Sequence, residues 1–199
     1  MTPAALRPLL SQAAWAHVLI FFDFNLGSLD LMADFIGWFL LAGAVRELAQ
    51  ELPELALLRP LALGLGWYAE FAQAALLLGR DMEGYGFTLL ILLVRIVRIY
   101  FDFQFFTDLA RLAARYQPPD RKLDRGFLRL RNLQVFMDTL LAIPDLYPAL
   151  SERQALLWVL PGAALAVMVV VLYCLFSLRN LIPEDAASGT GPPQTGSPC

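Results

Sequence analysis

From Ala155 to Leu178 the chain runs 24 residues without a charged side chain, and about 20 apolar residues in a helix are enough to cross the ~30 Å hydrocarbon core of a bilayer. Hydrocarbon offers no partner to backbone N–H and C=O groups, so a segment of that kind satisfies them internally and is helical. Five further apolar stretches precede it. They lie near residues 9–26, 29–48, 61–79, 86–108 and 130–147, with the last at 155–178. Together they leave room only for short loops, one basic linker and a tail. The balance of residue types agrees: 58% are hydrophobic and 17% charged, where soluble chains run at about 25% charged. The expected fold is therefore an all-α polytopic membrane bundle of six helices over residues 1–182. A Gly/Pro/Ser/Thr-rich tail follows at 183–199, with a composition that cannot bury enough apolar surface to fold.

The first stretch ends in Asp23-Phe24-Asn25, which is unlike the small-residue site of a cleaved signal, so it is expected to be retained. Asn25-Leu26-Gly27-Ser28 reads as a turn, making the first two stretches a tight hairpin. The fifth is the least apolar, because Asp138 interrupts it and Pro144 and Pro148 crowd its end; a re-entrant or interfacial helix is its alternative. Basic residues are retained on the cytoplasmic side. Arg7, Arg46, Arg59, Arg179 and the seven Lys and Arg between Arg111 and Arg131 fall on one face, against Arg80 and Arg153 on the other. Eleven against two places both termini in the cytoplasm and favours an even number of crossings. The 111–131 segment is then an ordinary cytoplasmic anchor touching lipid headgroups, and nucleic acid is not an expected partner.

Charges inside hydrocarbon are costly and usually face a protein interior. Glu70 lies ten residues from Pro60, or ~15 Å of helix, and Arg95 nine from Gly86, or ~13 Å, which sets them level. Arg98 and Asp138 fall about a turn nearer the cytoplasm, with His17 close by. Arg98 and Asp102 stand four apart on one helix face, so an intrahelical pair is the simplest fate of Asp102. Two readings of this cluster stand: ion pairs that fix helix register, with Glu70 partnering Arg95, or a polar pathway. A second group, Asp23, Asn25, Asp30 and Asp34, gathers at the hairpin tip. Asp30 and Asp34 are expected to open the second helix, where the dipole favours negative charge and Asp30 caps it. With Asp23 and Asn25 opposite, the tip offers oxygens suited to a hard cation, or a carboxylate pair sharing a proton; a purely structural hairpin is the alternative.

The stretch Phe22-Asp23-Phe24-Asn25-Leu26-Gly27-Ser28-Leu29-Asp30-Leu31-Met32-Ala33-Asp34-Phe35-Ile36-Gly37-Trp38 resembles the opening hairpin of small, uncharacterised multi-pass membrane proteins of Gram-positive bacteria. In that family an Asp, an Asn and a Gly precede a second helix that begins with Asp, two apolar residues, Pro, Asp, two apolar residues, Gly and an aromatic. Ala33 stands where the pattern has Pro. The resemblance covers 17 residues and implies a bacterial inner-membrane protein; it implies no activity.

Enzyme signatures are absent. There is no His-Glu-x-x-His, no Gly-rich phosphate loop and no nucleophile elbow, and His17 is the single histidine. Cys174 and Cys199 form neither a disulfide framework nor a metal cluster. No cofactor is expected. The leading expectation is a membrane protein whose polar interior handles an ion, a proton or a small solute. A non-transporting assembly or scaffold protein comes second, and an intramembrane enzyme using Asp23, Asp30 or Asp34 third.

Overall fold

A computed structural model describes residues 3–21, 25–26, 29–30, 34–78, 85–146 and 154–183. Six helices make up the described chain: α1 (Pro3–Phe21), α2 (Asp34–Leu48), α3 (Leu58–Leu77), α4 (Tyr85–Tyr116), α5 (Leu123–Leu146) and α6 (Gln154–Leu181). A 3₁₀ turn over Pro53–Leu57 leads into α3. The only strand pairing among the described residues is a two-residue antiparallel ladder, Asn25 opposite Asp30 and Leu26 opposite Leu29. The all-α expectation holds.

Several expected boundaries do not. Residue 29 does not start a helix: Leu29 and Asp30 pair back onto Asn25 and Leu26, and α2 opens at Asp34. Asp30 therefore lies in the ladder, four residues before the start of α2. The 111–131 stretch is mostly helix, since α4 runs to Tyr116 and α5 begins at Leu123. What carries α5 seven residues earlier than expected is Leu123, Phe127 and Leu130, spaced on one face, with Phe127 and Leu130 buried. The Gln117 side chain supplies its cap: Oε1 accepts from the backbone N–H of Leu123 at 2.7 Å and of Asp124 at 3.1 Å. The same side chain and the Arg125 backbone N–H hold the Asp124 carboxyl below its ordinary range. Gln117→Ala should cost about 0.5–2 kcal/mol, the range for a lost cap, and denaturant titration of the two proteins would read it; no difference would mean α5 needs no cap.

Each helix packs on the next, and α6 packs back on α1, closing a ring. The α1/α2 pair is antiparallel and very close. A Cβ on Gly37 would lie 2.7 Å from Ile20 Cγ1 and 2.9 Å from the Ala16 carbonyl oxygen, and Ala13 and Ala16 opposite are fully buried. Small residues let two backbones approach like this, and the Gln12 amide donates across the seam to the Leu40 carbonyl at 2.9 Å. Because backbone rather than a flexible side chain blocks the space, Gly37→Ala should cost about 1–3 kcal/mol by overpacking. An unchanged melting temperature would show that the seam is looser than this geometry. The α4/α5 pair is antiparallel too: Arg131 lies over the Phe103 ring at 4.3 Å and donates to Thr107 Oγ1 at 3.2 Å.

The apolar core is concentrated at one end of the ring, here the near end, which carries the first turn of α1. On α4 the buried residues begin at Phe101 and continue to Ala113; on α3 they are Leu58, Ala62 and Leu65, on α5 Phe127, Leu130 and Met137, and on α6 they begin at Val167. Phe101, Phe105, Phe106 and Phe127 are fully buried, and the rings of Phe101, Phe105 and Phe106 pack on one another as an aromatic layer. Towards the far end α3 to α6 bury no large apolar side chain among the described residues.

One helical stretch among the described residues, Pro161–Leu181, is long and apolar enough by itself to cross a membrane, where six were expected. Charge breaks α4, which carries Arg95, Arg98, Asp102 and Asp108, and α5, which carries Arg125, Arg129, Arg131 and Asp138, while α2 is only 15 residues long.

Candidate functional site in the bundle interior

The residues that interrupt α4 and α5 come together. A cavity of about 70 Å³ lies between α1, α2, α4, α5 and α6, and its polar wall is His17, Arg98, Asp102, Gln134 and Asp138. At ~10–15 Å³ per water of such volume it has room for a few waters, and its polar wall is what a buried water needs. Asp102 is buried and shares this cavity with Asp138 of α5 and with Arg98, one turn away on its own helix. The Gln134 amide also donates to both Asp138 oxygens, at 3.3 and 3.4 Å. Arg98 lies over the Trp38 ring, 5.9 Å from its centroid.

Trp38 and Arg98 stand between this cavity and a larger, open one of about 280 Å³, lined by α2, α3 and α4 and bordered by Asp34, Tyr68 and Gln73 as well. A third space, about 70 Å³, runs between α4 and α5 along Arg95, Arg98 and Asp138. Arg98 thus borders all three. The α3 residues that face the larger cavity are Leu65, Tyr68, Ala69, Ala72 and Gln73, one helical stripe by their spacing.

His17 closes the central cavity at the near end. Its ring stacks on Phe105 at 5.3 Å and lies 6.0 Å from Phe106. Nδ1 faces the Ala13 carbonyl at 2.8 Å; a carbonyl can only accept, so Nδ1 bears the hydrogen and Nε2 of the neutral ring is the acceptor. Nε2 is shielded from solvent and has no hydrogen-bond partner. Below it the aromatic layer is continuous: Phe101 stacks on Phe105 at 5.8 Å and packs edge-on to Trp38 at 5.4 Å.

Arg98, Asp102, Asp138 and His17 are thus brought to one cavity. Glu70 is not among them: it falls off the inward stripe of α3, while Arg95 borders the α4/α5 space with Asp138. Asp102 stands one turn from Arg98, as its spacing implies, and Asp138 of α5 lines the same cavity. At the hairpin, Asp34 borders the larger cavity, Asn25 and Asp30 are opposite in the ladder, and Asp23 lies outside the described residues. No group of three metal-ligating side chains occurs among the described residues.

Two residues outside the expected set matter. Gln134 supports Asp138, and Asp108, fully buried beneath the aromatic layer, accepts from Gln104 at 3.0 Å and from Arg111 at 2.9 Å. Both are Gln-x-x-x-Asp pairs, a spacing at which helix side chains meet, so the signal was present in the sequence. No protein-family model, no curated protein and no solved structure matches this chain.

Proposed function

We propose that this chain is a polytopic bacterial inner-membrane protein, a six-helix bundle with cytoplasmic termini whose polar interior handles an ion, a proton or a small solute. The observation that carries this reading is the set of cavities that meet at Arg98, surrounded by an apolar exterior. Trp15, Phe71, Leu93, Phe136 and Val169, on α1, α3, α4, α5 and α6, are each more than half exposed, and Ile36 on α2 nearly so. Exposed apolar patches on this scale mark a surface that meets lipid or protein rather than water. Exposed charge collects at the near end instead, on Arg46, Arg59, Arg111, Arg115, Arg121, Lys122, Arg125 and Arg129, as the positive-inside rule requires of a cytoplasmic face. The family resemblance of residues 22–38 supports the same membrane. Tight packing at the near end and cavities beyond it give a vestibule that opens away from the cytoplasm.

Water access tests the reading without knowledge of the cargo. In a background with both native cysteines replaced by Ser, Ala72→Cys should react with a membrane-impermeant thiol reagent added outside intact cells. Leu109→Cys, in the packed end, should not. Protection of both would mean a sealed interior and would favour the scaffold protein.

A further inference from the structure

We propose that the cargo of this interior is the proton: Asp102 and Asp138 hold one between them, and His17 Nε2 receives it through water in the central cavity, with Arg98 as fixed counter-charge. This rests on the membrane reading above and names its substrate class.

Asp102 and Asp138 line one cavity of about 70 Å³ with a single arginine, and two carboxylates brought together at such a site cannot both stay ionised cheaply. The pair therefore holds a single proton and a single negative charge, and Arg98, bordering the same cavity, balances that charge. The site is neutral with one proton aboard, the low-cost state for a membrane interior. Gln134 donates to Asp138, which stabilises Asp138 as the ionised member and leaves the proton on buried Asp102. In the relay, Asp102 passes its proton to a cavity water as that water gives one to His17 Nε2. The O–H bond on Asp102 breaks, an N–H bond forms on the ring, and the water is unchanged. Asp138, which also borders the α4/α5 space, then takes a proton from water on that side, and the pair returns to its starting charge.

The groups that bear on this exchange come from every neighbouring element. His17 comes from α1, Arg98 and Asp102 from α4, and Gln134 and Asp138 from α5, while α2 contributes only Trp38 and Leu41 and α6 only apolar side chains. Asp34 and Tyr68 stand one cavity away, past Arg98, and Arg95 lies in the space along α4 and α5. His17 is uniquely placed for the receiving role, because Nδ1 is committed to Ala13 and Nε2 is unpartnered at the cavity wall. The aromatic layer beneath it stops passive leak, so onward release requires that Phe105 and Phe106 part from His17.

Purified protein in phospholipid vesicles containing a pH-sensitive dye, under a potassium diffusion potential, tests this. Wild type should acidify the lumen. Asp102→Asn and Asp138→Asn, whose amides keep shape and hydrogen-bonding capacity, should fall to the rate of protein-free vesicles, and His17→Gln should fall with them. Infrared spectra of the unaltered protein give a reading that needs no variant to fold: a protonated carboxylic acid band shielded from water near neutral pH, the absence of which overturns the proposal. Wild type with a thiol-accessible vestibule but no proton flux, or flux that persists in both Asn variants, overturns the proton assignment and leaves the membrane reading standing. Protection of Ala72→Cys would instead remove the reading on which it rests.

Discussion

Phe105→Ala should destabilise the protein by about 3–5 kcal/mol, the cost of truncating a fully buried aromatic whose site cannot collapse. Phe105 has no solvent exposure and touches rings on three sides, His17 at 5.3 Å, Phe101 at 5.8 Å and Phe106 at 5.6 Å. Those neighbours belong to α1 and α4, which the close seams to α2 and α5 hold in place, so the hole would persist. Phe136→Ala removes a ring of the same size that is 60% exposed, and its effect should stay within about 0.5 kcal/mol, as for a surface position. Denaturation of both variants in the same detergent would compare them. Equal losses would mean that the aromatic layer is not the packed floor described here.

Arg98→Leu should also be severely destabilising, by up to about 3–5 kcal/mol, because removing one partner of a buried charge set leaves the other uncompensated. Adding Asp138→Asn should recover most of that loss. The interior would then hold a neutral Asp102 beside an amide, with no net charge left to balance. The comparison is informative because each change alone breaks a contact: Arg98 with the Trp38 ring, Asp138 with Gln134. A double variant less stable than Arg98→Leu alone would show that charge balance is not what holds these groups together.

Run length and apolar content carried the helical class, since a chain this apolar has few other ways to satisfy its backbone. Local patterns carried less. The start of α5 was hidden because Asp124, Arg125 and Arg129 surround Leu123, Phe127 and Leu130, so a scan for uninterrupted apolar residues passes over a face that is regular at helical spacing. Asp30 looked like a helix cap from charge and position, yet pairing across Gly27-Ser28 draws Leu29 and Asp30 into the ladder. Depth arithmetic set Glu70 and Arg95 level but says nothing of direction around a helix axis, and direction separates them. Matching acids to bases likewise concealed that Asp102 and Asp138 share a cavity, since two acids are not natural neighbours until one is allowed a proton. The Gln134–Asp138 spacing was legible; its consequence was not, because it depends on α5 facing Asp102.

Spin labels read by their collision with oxygen and with a water-soluble nickel chelate, in protein reconstituted into bilayers, test the central claim most directly. Labels at Trp15, Leu40, Phe71, Leu93, Phe136 and Val169 sample the exposed face of all six helices, and one at Ala72 samples the larger cavity. The six outer positions should favour oxygen, as lipid-facing sites do, and Ala72 should favour the chelate. Outer positions that favour the chelate, or an Ala72 label reached by neither, would contradict a membrane bundle built around a wet polar interior.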